Sequence, residues 1–395
     1  MIFTTPRLTD LHWAVLGGVE DLRRRLNYSL SQPLRWSGLL RRTTLARAIQ
    51  GSNSIEGYHV SVEDAIAAVE GDEPMTADRA TWREVTGYRE AMTYVLQLAN
   101  DPNFSYSTGL LNGLHFMMLQ HDLRKNPGRW RPGPVSVVDE PKRIVVYEAP
   151  DADLVPQRMG ELVDGLNESQ SLPVLVSAAM AHLNLVMIHP YSDGNGRMSR
   201  CLQTLVLARD GILAPQFSSI EEYLGRNTQD YYAVLSKVGG GSWHPENDCE
   251  PWLRFCLSAH HRQATTLLRR HREMQKLWDA IERAVVGRHL PERVILALVD
   301  AANGYRVRNS SYRNAAEISN NLASRDLKLL VDGGFLVPIG QKRGRVYMAS
   351  EALRDLQRKT REPRVDADPF DQAAENPLET RSPLPVRLER DTGRR

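Results

Sequence analysis

The residues of this 395-residue chain best suited to chemistry lie in one short segment, His189-Pro-Tyr-Ser-Asp-Gly-Asn-Gly-Arg-Met-Ser-Arg200. Gly194-Asn195-Gly196 permits left-handed backbone turns that most residues resist. Successive amide N–H groups there can point into one concavity, an anion nest. The pattern predicts a helix from near Arg197 to Ala208, whose positive dipole end adds to the same field. Arg197 and Arg200 share a face of that helix, and two guanidinium forks beside a nest suit several phosphate oxygens. Asp193 offers a hard oxygen ligand for Mg²⁺ held jointly with phosphates. His189 is placed to take a proton from a hydroxyl near neutral pH. Together these groups describe transfer of a nucleotide α-phosphate, with pyrophosphate leaving, achieved mainly by positioning and charge stabilisation. Singly, each has an ordinary reading: Asp-Gly and Asn-Gly are strong turn dipeptides, and a His beside a helix end is commonly structural. The combination points to a phosphate site.

The elements that must position this loop are mostly helical. Apolar spacing predicts helices over 9–30, 39–50, 84–99, 108–120, 154–168 and 251–285. Residues 173–188 are apolar almost all round, as in a helix at the centre of a bundle, and the loop breaks it. Ser61-Val-Glu-Asp64 reads as a helix cap. Val135–Val138 and Ile144–Tyr147, around Asp139-Glu-Pro-Lys-Arg143, predict a β-hairpin. After about residue 290 the order becomes helix, helix, helix, hairpin, with Phe335–Ile339 and Val346–Met348 as strands around the basic turn Gly340–Arg345. From about Arg361 the chain is charged and proline-interrupted, which predicts disorder.

Hydrophobic residues make up 42% and charged residues 25% of the chain, with net charge +2. That predicts a soluble globular protein of two or three domains, with no general affinity for nucleic acid. Three cysteines without Cys-x-x-Cys spacing indicate neither a zinc site nor a redox pair, and fit a reducing compartment. With no signal peptide in Met1–Asp10 and no apolar run of membrane length, the expectation is a cytoplasmic protein with no membrane partner. No P-loop is present, and Gly194-x-Gly196 lacks the third glycine and preceding strand of a dinucleotide site.

The 189–200 segment closely resembles the signature of the Fic (filamentation induced by cAMP) family, His-Pro-Phe-x-x-Gly-Asn-Gly-Arg-x-x-Arg, with Tyr191 replacing the usual Phe. The resemblance covers roughly residues 1–262. It implies an all-α fold: a Fic-type helical bundle core with a β-hairpin flap, then a small winged helix-turn-helix domain. The domains expected are an N-terminal helical region with an inhibitory helix (1–83), a catalytic core (84–262), a linking helix (263–289), the winged helix (290–352) and a disordered tail (353–395). It implies AMP transfer from ATP to a Ser, Thr or Tyr hydroxyl of a target protein, with self-modification as one outcome. His189 would be the base and Asp193 the Mg²⁺ ligand. Gly194, Asn195 and Gly196 would form the anion hole, and Arg197 and Arg200 would bind the β and γ phosphates. The hydroxyl of Tyr191 requires a partner. The 135–147 hairpin resembles the family's flap, whose edge would pair with a target segment. Tyr231-Tyr232 resembles the segment closing the adenine pocket, and Tyr231 is the nucleotide-binding candidate; core packing is the equal alternative for either ring.

Ser52-Asn-Ser-Ile-Glu56-Gly57 resembles the family's inhibitory motif. A carboxylate reaching Arg200 would take the place of the γ-phosphate. Asn53 with Glu56 also reads as a helix N-cap pair. Residues 291–349 resemble the winged helix found behind many Fic cores. Ser324–Leu330 is the candidate recognition helix, and Arg313, Arg325, Lys328, Lys342, Arg343 and Arg345 supply positive charge for DNA. Such modules also dock proteins or dimerise, so a homodimer stays open, and Asp326 dilutes the patch. Competing functions are AMP removal, use of another nucleotide or phosphocholine donor, and a nucleotide-sensing transcriptional regulator. The intact His189 favours an enzyme.

Overall fold

The computed structural model describes residues 1–375, apart from 33, 140–141, 169–171, 212–213, 342–343 and 365–366. The chain opens with α1 (Asp10–Ser31), α2 (Ser37–Ile55), α3 (Val62–Glu70), α4 (Arg79–Leu98) and α5 (Thr108–Leu119). Short polar side chains start several of them. Ser61 Oγ accepts from Asp64 N at 3.0 Å, as its sequence context predicts, and Ser107 Oγ accepts from Leu110 N at 3.0 Å. A hairpin follows, β1 (Ser136–Asp139) and β2 (Ile144–Glu148), antiparallel with a bulge between Val137 and Val138. Its turn residues Glu140 and Pro141 lie outside the described residues. Tyr147 pins the hairpin to the core, its hydroxyl donating to Met187 O at 2.9 Å.

Next come α6 (Val155–Glu168), α7 (Val174–Ile188) and α8 (Asn195–Arg209). The helices α7 and α8 are buried on nearly all sides and pack against each other, so the loop between them sits at the centre of the bundle. The short helices α9 (Pro215–Ser218), α10 (Glu221–Arg226) and α11 (Thr228–Gly239) lead into α12 (Glu250–Gly287). At 38 residues, α12 is about 57 Å long at 1.5 Å per residue. It crosses the boundary expected at 262 without a break. Its first half packs in the main core, with Trp252 donating to Ala179 O at 2.8 Å, and its second half in a separate apolar cluster. That second cluster joins α13 (Val294–Ala302), α14 (Asn309–Ala316), α15 (Asn320–Asp332), β3 (Leu336–Ile339) and β4 (Val346–Ala349). The order of helices and antiparallel strands is the one read from the sequence.

Two local readings change. The segment around Glu56 is no helix start: α2 continues to Ile55 and Glu56 caps its C-terminal end. Gly51-Ser-Asn-Ser is a poor helix former, but Gly51 packs so closely on α10 that a Cβ there would overlap the Glu221 carbonyl. Tertiary contact thus overrides propensity. The expected disordered tail also begins too early. Helices α16 (Glu351–Thr360) and α17 (Pro369–Glu375) are formed, and Phe370 is buried in the main core beneath Arg254, 4.3 Å from its ring. A single aromatic anchor outweighs the charged, proline-rich composition around it. Residues 376–395 lie outside the described residues.

Candidate active site

His189 ends α7 in the left-handed conformation (φ 52°) and Gly194 opens α8 in the same region (φ 78°). These two turns reverse the chain and aim the first amides of α8 into the loop. Asn195, half of the expected nest, has its side chain turned inward: it accepts from Tyr191 N at 2.9 Å and donates to Tyr191 O at 2.8 Å. It therefore clasps the loop and leaves only its backbone to the cradle. Tyr191 is fully buried, and its hydroxyl finds the partner it requires in Asn112 Oδ1 at 3.1 Å. Its ring stacks on His115 at 3.7 Å. His115 Nδ1 accepts from Gly128 N at 2.8 Å, so Nε2 carries the hydrogen and donates to Asp193 O at 2.9 Å. Burial drives the His115 pKa down to about 4, against the pull of that carbonyl. A neutral histidine thus holds the loop's back wall.

His189 Nδ1 lies 3.0 Å from Val186 O. A carbonyl only accepts, so Nδ1 carries the proton and Nε2 keeps the free lone pair that a base needs. Burial lowers the His189 pKa below 6.5, with Arg131 adding to the effect. Arg131 is buried and bonds only to carbonyls: His189 at 2.8 Å, Gly133 at 2.6 Å, and Pro150. It ties the approach to the hairpin to the backbone of His189.

The two loop arginines are both buried. Arg200 donates to Ser52 Oγ at 2.7 Å, Ser52 O at 3.0 Å and Glu56 Oε1 at 2.6 Å, while its Nη1 has no hydrogen-bond partner. Burial opposes its charge, but Glu56 more than restores it. The same Glu56 oxygen occupies the cradle: a Cβ on Gly196 would lie 2.5 Å from it. Only glycine leaves room for an acidic group there. Arg197 bonds Glu84 at 2.5 Å and lies 3.9 Å from Asp193, and its Nε and Nη2 lack hydrogen-bond partners. Glu84 also meets Lys125 at 2.7 Å and His121 at 3.1 Å, and Lys125 bridges on to Asp193 at 2.7 Å. Burial raises the Glu84 pKa, but the cations outweigh it and hold it at about 2. Removing Glu84 as Glu84→Gln leaves Arg197 and Lys125 short of a counter-charge. A loss of roughly 3–5 kcal/mol is expected, read by chemical denaturation.

Tyr231 is buried beside Arg200, its hydroxyl 2.9 Å from His182 Nε2 and its ring against Trp252. Tyr232 is half exposed and donates to Ile55 O at 3.1 Å, one residue before Glu56. Sequence reasoning placed Ser52 in the motif with Glu56 but singled out none of Glu84, His115, Lys125 or Arg131. Glu84 and His115 did carry a signal, since each sits on the apolar stripe of its helix, beside Val85 and Tyr88 or Leu111 and Met118.

Helical bundle, hairpin and loop together define a Fic-type fold. The family model described as Fic/DOC family matches residues 106–207. The protein adenylyltransferase Fic of Nematostella vectensis is 29% identical over 253 residues, covering 63% of this chain and 55% of that protein. The protein adenylyltransferase fic-1 of Caenorhabditis elegans is 26% identical over 269 residues, covering 66% and 48%. A solved Fic family protein from Desulfovibrio desulfuricans G20 superposes with a TM-score of 0.51 at 23% identity, covering 85% of this chain and 96% of that one. Fic-1 from C. elegans gives 0.51 at 24%, covering 64% and 71%. Residues 106–207 thus match the Fic/DOC family and the fold is Fic-type, and the chain spans about half the length of the curated relatives it matches.

Proposed function

We propose that the chain is a protein adenylyltransferase that moves AMP from ATP to a hydroxyl side chain of a protein, restrained by its own Glu56. One observation carries this reading: Glu56 Oε1 lies against Gly196 and 2.6 Å from Arg200, as an acidic ligand's oxygen would, while Arg200 Nη1 and two Arg197 nitrogens lack hydrogen-bond partners. Buried unpaired guanidinium nitrogens are costly, and phosphate oxygens would satisfy them. In the reaction, Nε2 of His189 accepts the proton of the target hydroxyl, whose oxygen bonds the α-phosphorus as the bond to pyrophosphate breaks. The α8 amides and both arginines hold the phosphates. Asp193 would hold Mg²⁺, which when bound neutralises phosphate charge. The fit is supported by its half-exposed carboxylate, which already faces a cation, Lys125. The exposed Val138, Ile144 and Val145 of the hairpin offer the target segment an apolar edge.

Tyr232, rather than Tyr231, is the ring available to stack on the base, and its bond to Ile55 O latches the end of α2. Tyr232→Phe loses a neutral hydrogen bond of about 1 kcal/mol, so basal transfer rises by roughly fivefold. Incorporation from α-labelled ATP checks it. The lowered His189 pKa sets the pH profile. The base must be neutral, so transfer is full above 6.5 and falls as pH drops through the lowered value. The pH dependence of kcat/KM in a Glu56→Gly background measures this limb; an acid limb above 6.5 contradicts it.

The setting proposed is the cytoplasm, supported by free, buried Cys201, Cys249 and Cys256. No helix among the described residues is long and apolar enough to cross a membrane. DNA binding by the C-terminal module gains support from Asp326. It faces inward to Arg293 at 2.7 Å and Tyr312 at 2.8 Å, leaving Arg325 and Lys328 exposed without it. Lys342 and Arg343 lie outside the described residues. A mobility shift that weakens steeply with salt is expected, and salt-independent binding contradicts phosphate contacts.

A further inference from the structure

A cavity of about 220 Å³ lies where α2, α10 and α12 meet α13, α16 and the segment after α16. Six arginines line it: Arg47, Arg226, Arg269, Arg270, Arg361 and Arg364. Their counter-charges are few. Glu222 alone serves three of them, at 2.6 and 2.7 Å from Arg270, 2.7 Å from Arg226 and 3.9 Å from Arg47. Glu273 is taken by Arg269 at 2.6 Å. Asp300 also lines the cavity, but Arg42 holds it at 2.6 Å. Six guanidinium charges therefore share two carboxylates. The crowding is felt at Arg226: burial lowers its pKa, and Arg270, Arg47 and Arg364 add to the fall against the pull of Glu222.

Such a surplus around one partly open cavity suits an anion. A nucleic-acid duplex is far too wide for this volume. The chain beyond residue 375 is no counter-charge either, with Arg381, Arg387, Arg390, Arg394 and Arg395 against Glu379, Glu389 and Asp391. Guanidinium forks match phosphate oxygens pairwise, and a surplus of about three to four charges exceeds what one phosphate carries. We propose that this cavity binds a compact anion carrying at least two phosphate groups, at a site separate from the 189–200 loop. Binding here does not depend on the adenylyltransferase reading. Arg47 stands on α2, the helix that ends at Glu56, so the bound anion rests against the element carrying that carboxylate.

The test is calorimetric titration of the full chain with inorganic tripolyphosphate. Arg361 and Arg364 are exposed, so Arg361→Gln/Arg364→Gln keeps the fold and is expected to weaken binding by roughly tenfold or more, through two lost charge-assisted contacts. The control Arg24→Gln/Arg25→Gln, exposed on α1, leaves it unchanged. Unaltered affinity in the first pair overturns the site. Equal loss in both pairs reduces it to general charge attraction and overturns it too. Citrate binding as tightly as tripolyphosphate overturns the phosphate assignment.

Discussion

Glu56→Gly is expected to raise AMP transfer by roughly ten- to a hundredfold, with the protein labelling itself where no target is supplied. The size follows from what the carboxylate does. Its charge-assisted bond to Arg200 is worth about 1.5–3 kcal/mol, and under the proposed function ATP would have to displace it before the γ-phosphate took the same place. Each 1.36 kcal/mol is a tenfold change in rate. Fold stability should change little, because Arg200 keeps both bonds to Ser52 and because Glu56 caps the end of α2 without supporting its interior. Mass spectrometry after incubation with ATP and Mg²⁺ reads the result: an adduct of AMP mass, far more abundant in the variant. A variant no more active than the parent removes the brake. A different added mass points to another nucleotide.

The second large effect is at His189. His189→Ala is expected to cut transfer by roughly 10²–10⁴-fold, the usual worth of a positioned general base. ATP affinity should persist, because the imidazole touches none of the groups that cradle phosphate. Its own bond is to the Val186 carbonyl, and Arg131 holds the backbone of His189, which the substitution keeps. Titration calorimetry against labelling separates the two readouts. Retained labelling rules out the base, and lost ATP binding means the ring serves the cradle instead.

Buried histidines also shape stability. Burial holds the pKa of His115 at about 4, and those of His182 and His260 at about 3. Between 6.5 and these values the unfolded chain binds protons that the folded chain refuses. Stability therefore rises with pH across that window and falls on acidification, by up to about 1.4 kcal/mol per pH unit for each ring. Thermal melts from pH 7 to 4 should show the midpoint dropping throughout; a flat midpoint excludes neutral burial.

Much of this molecule was legible because the signals are local. The 189–200 loop, the all-round apolar α7 and the hairpin each depend on residues adjacent in sequence. Backbone freedom at Gly194 and hydrophobic periodicity need no knowledge of the rest of the chain. Tyr231 and Tyr232 mark the edge of that legibility. Tyr231 is four residues from Leu235 and seven from Val238, on the buried stripe of α11, and the same periodicity would have turned Tyr232 outward.

What only the tertiary structure decided is which charges meet. By itself the sequence determined that a histidine, an aspartate, two arginines and a glycine-lined turn occupy one loop, and that a glutamate stands far upstream in a motif resembling the family's inhibitory one. It did not determine that Arg197 would lie on Glu84, that Lys125 would bridge to Asp193, or that Glu56 would cap a helix and rest on Gly196. Those pairings join residues tens to more than a hundred positions apart. Their strength comes from burial, which removes water as the competing partner, and burial is a property of the assembled bundle rather than of any segment.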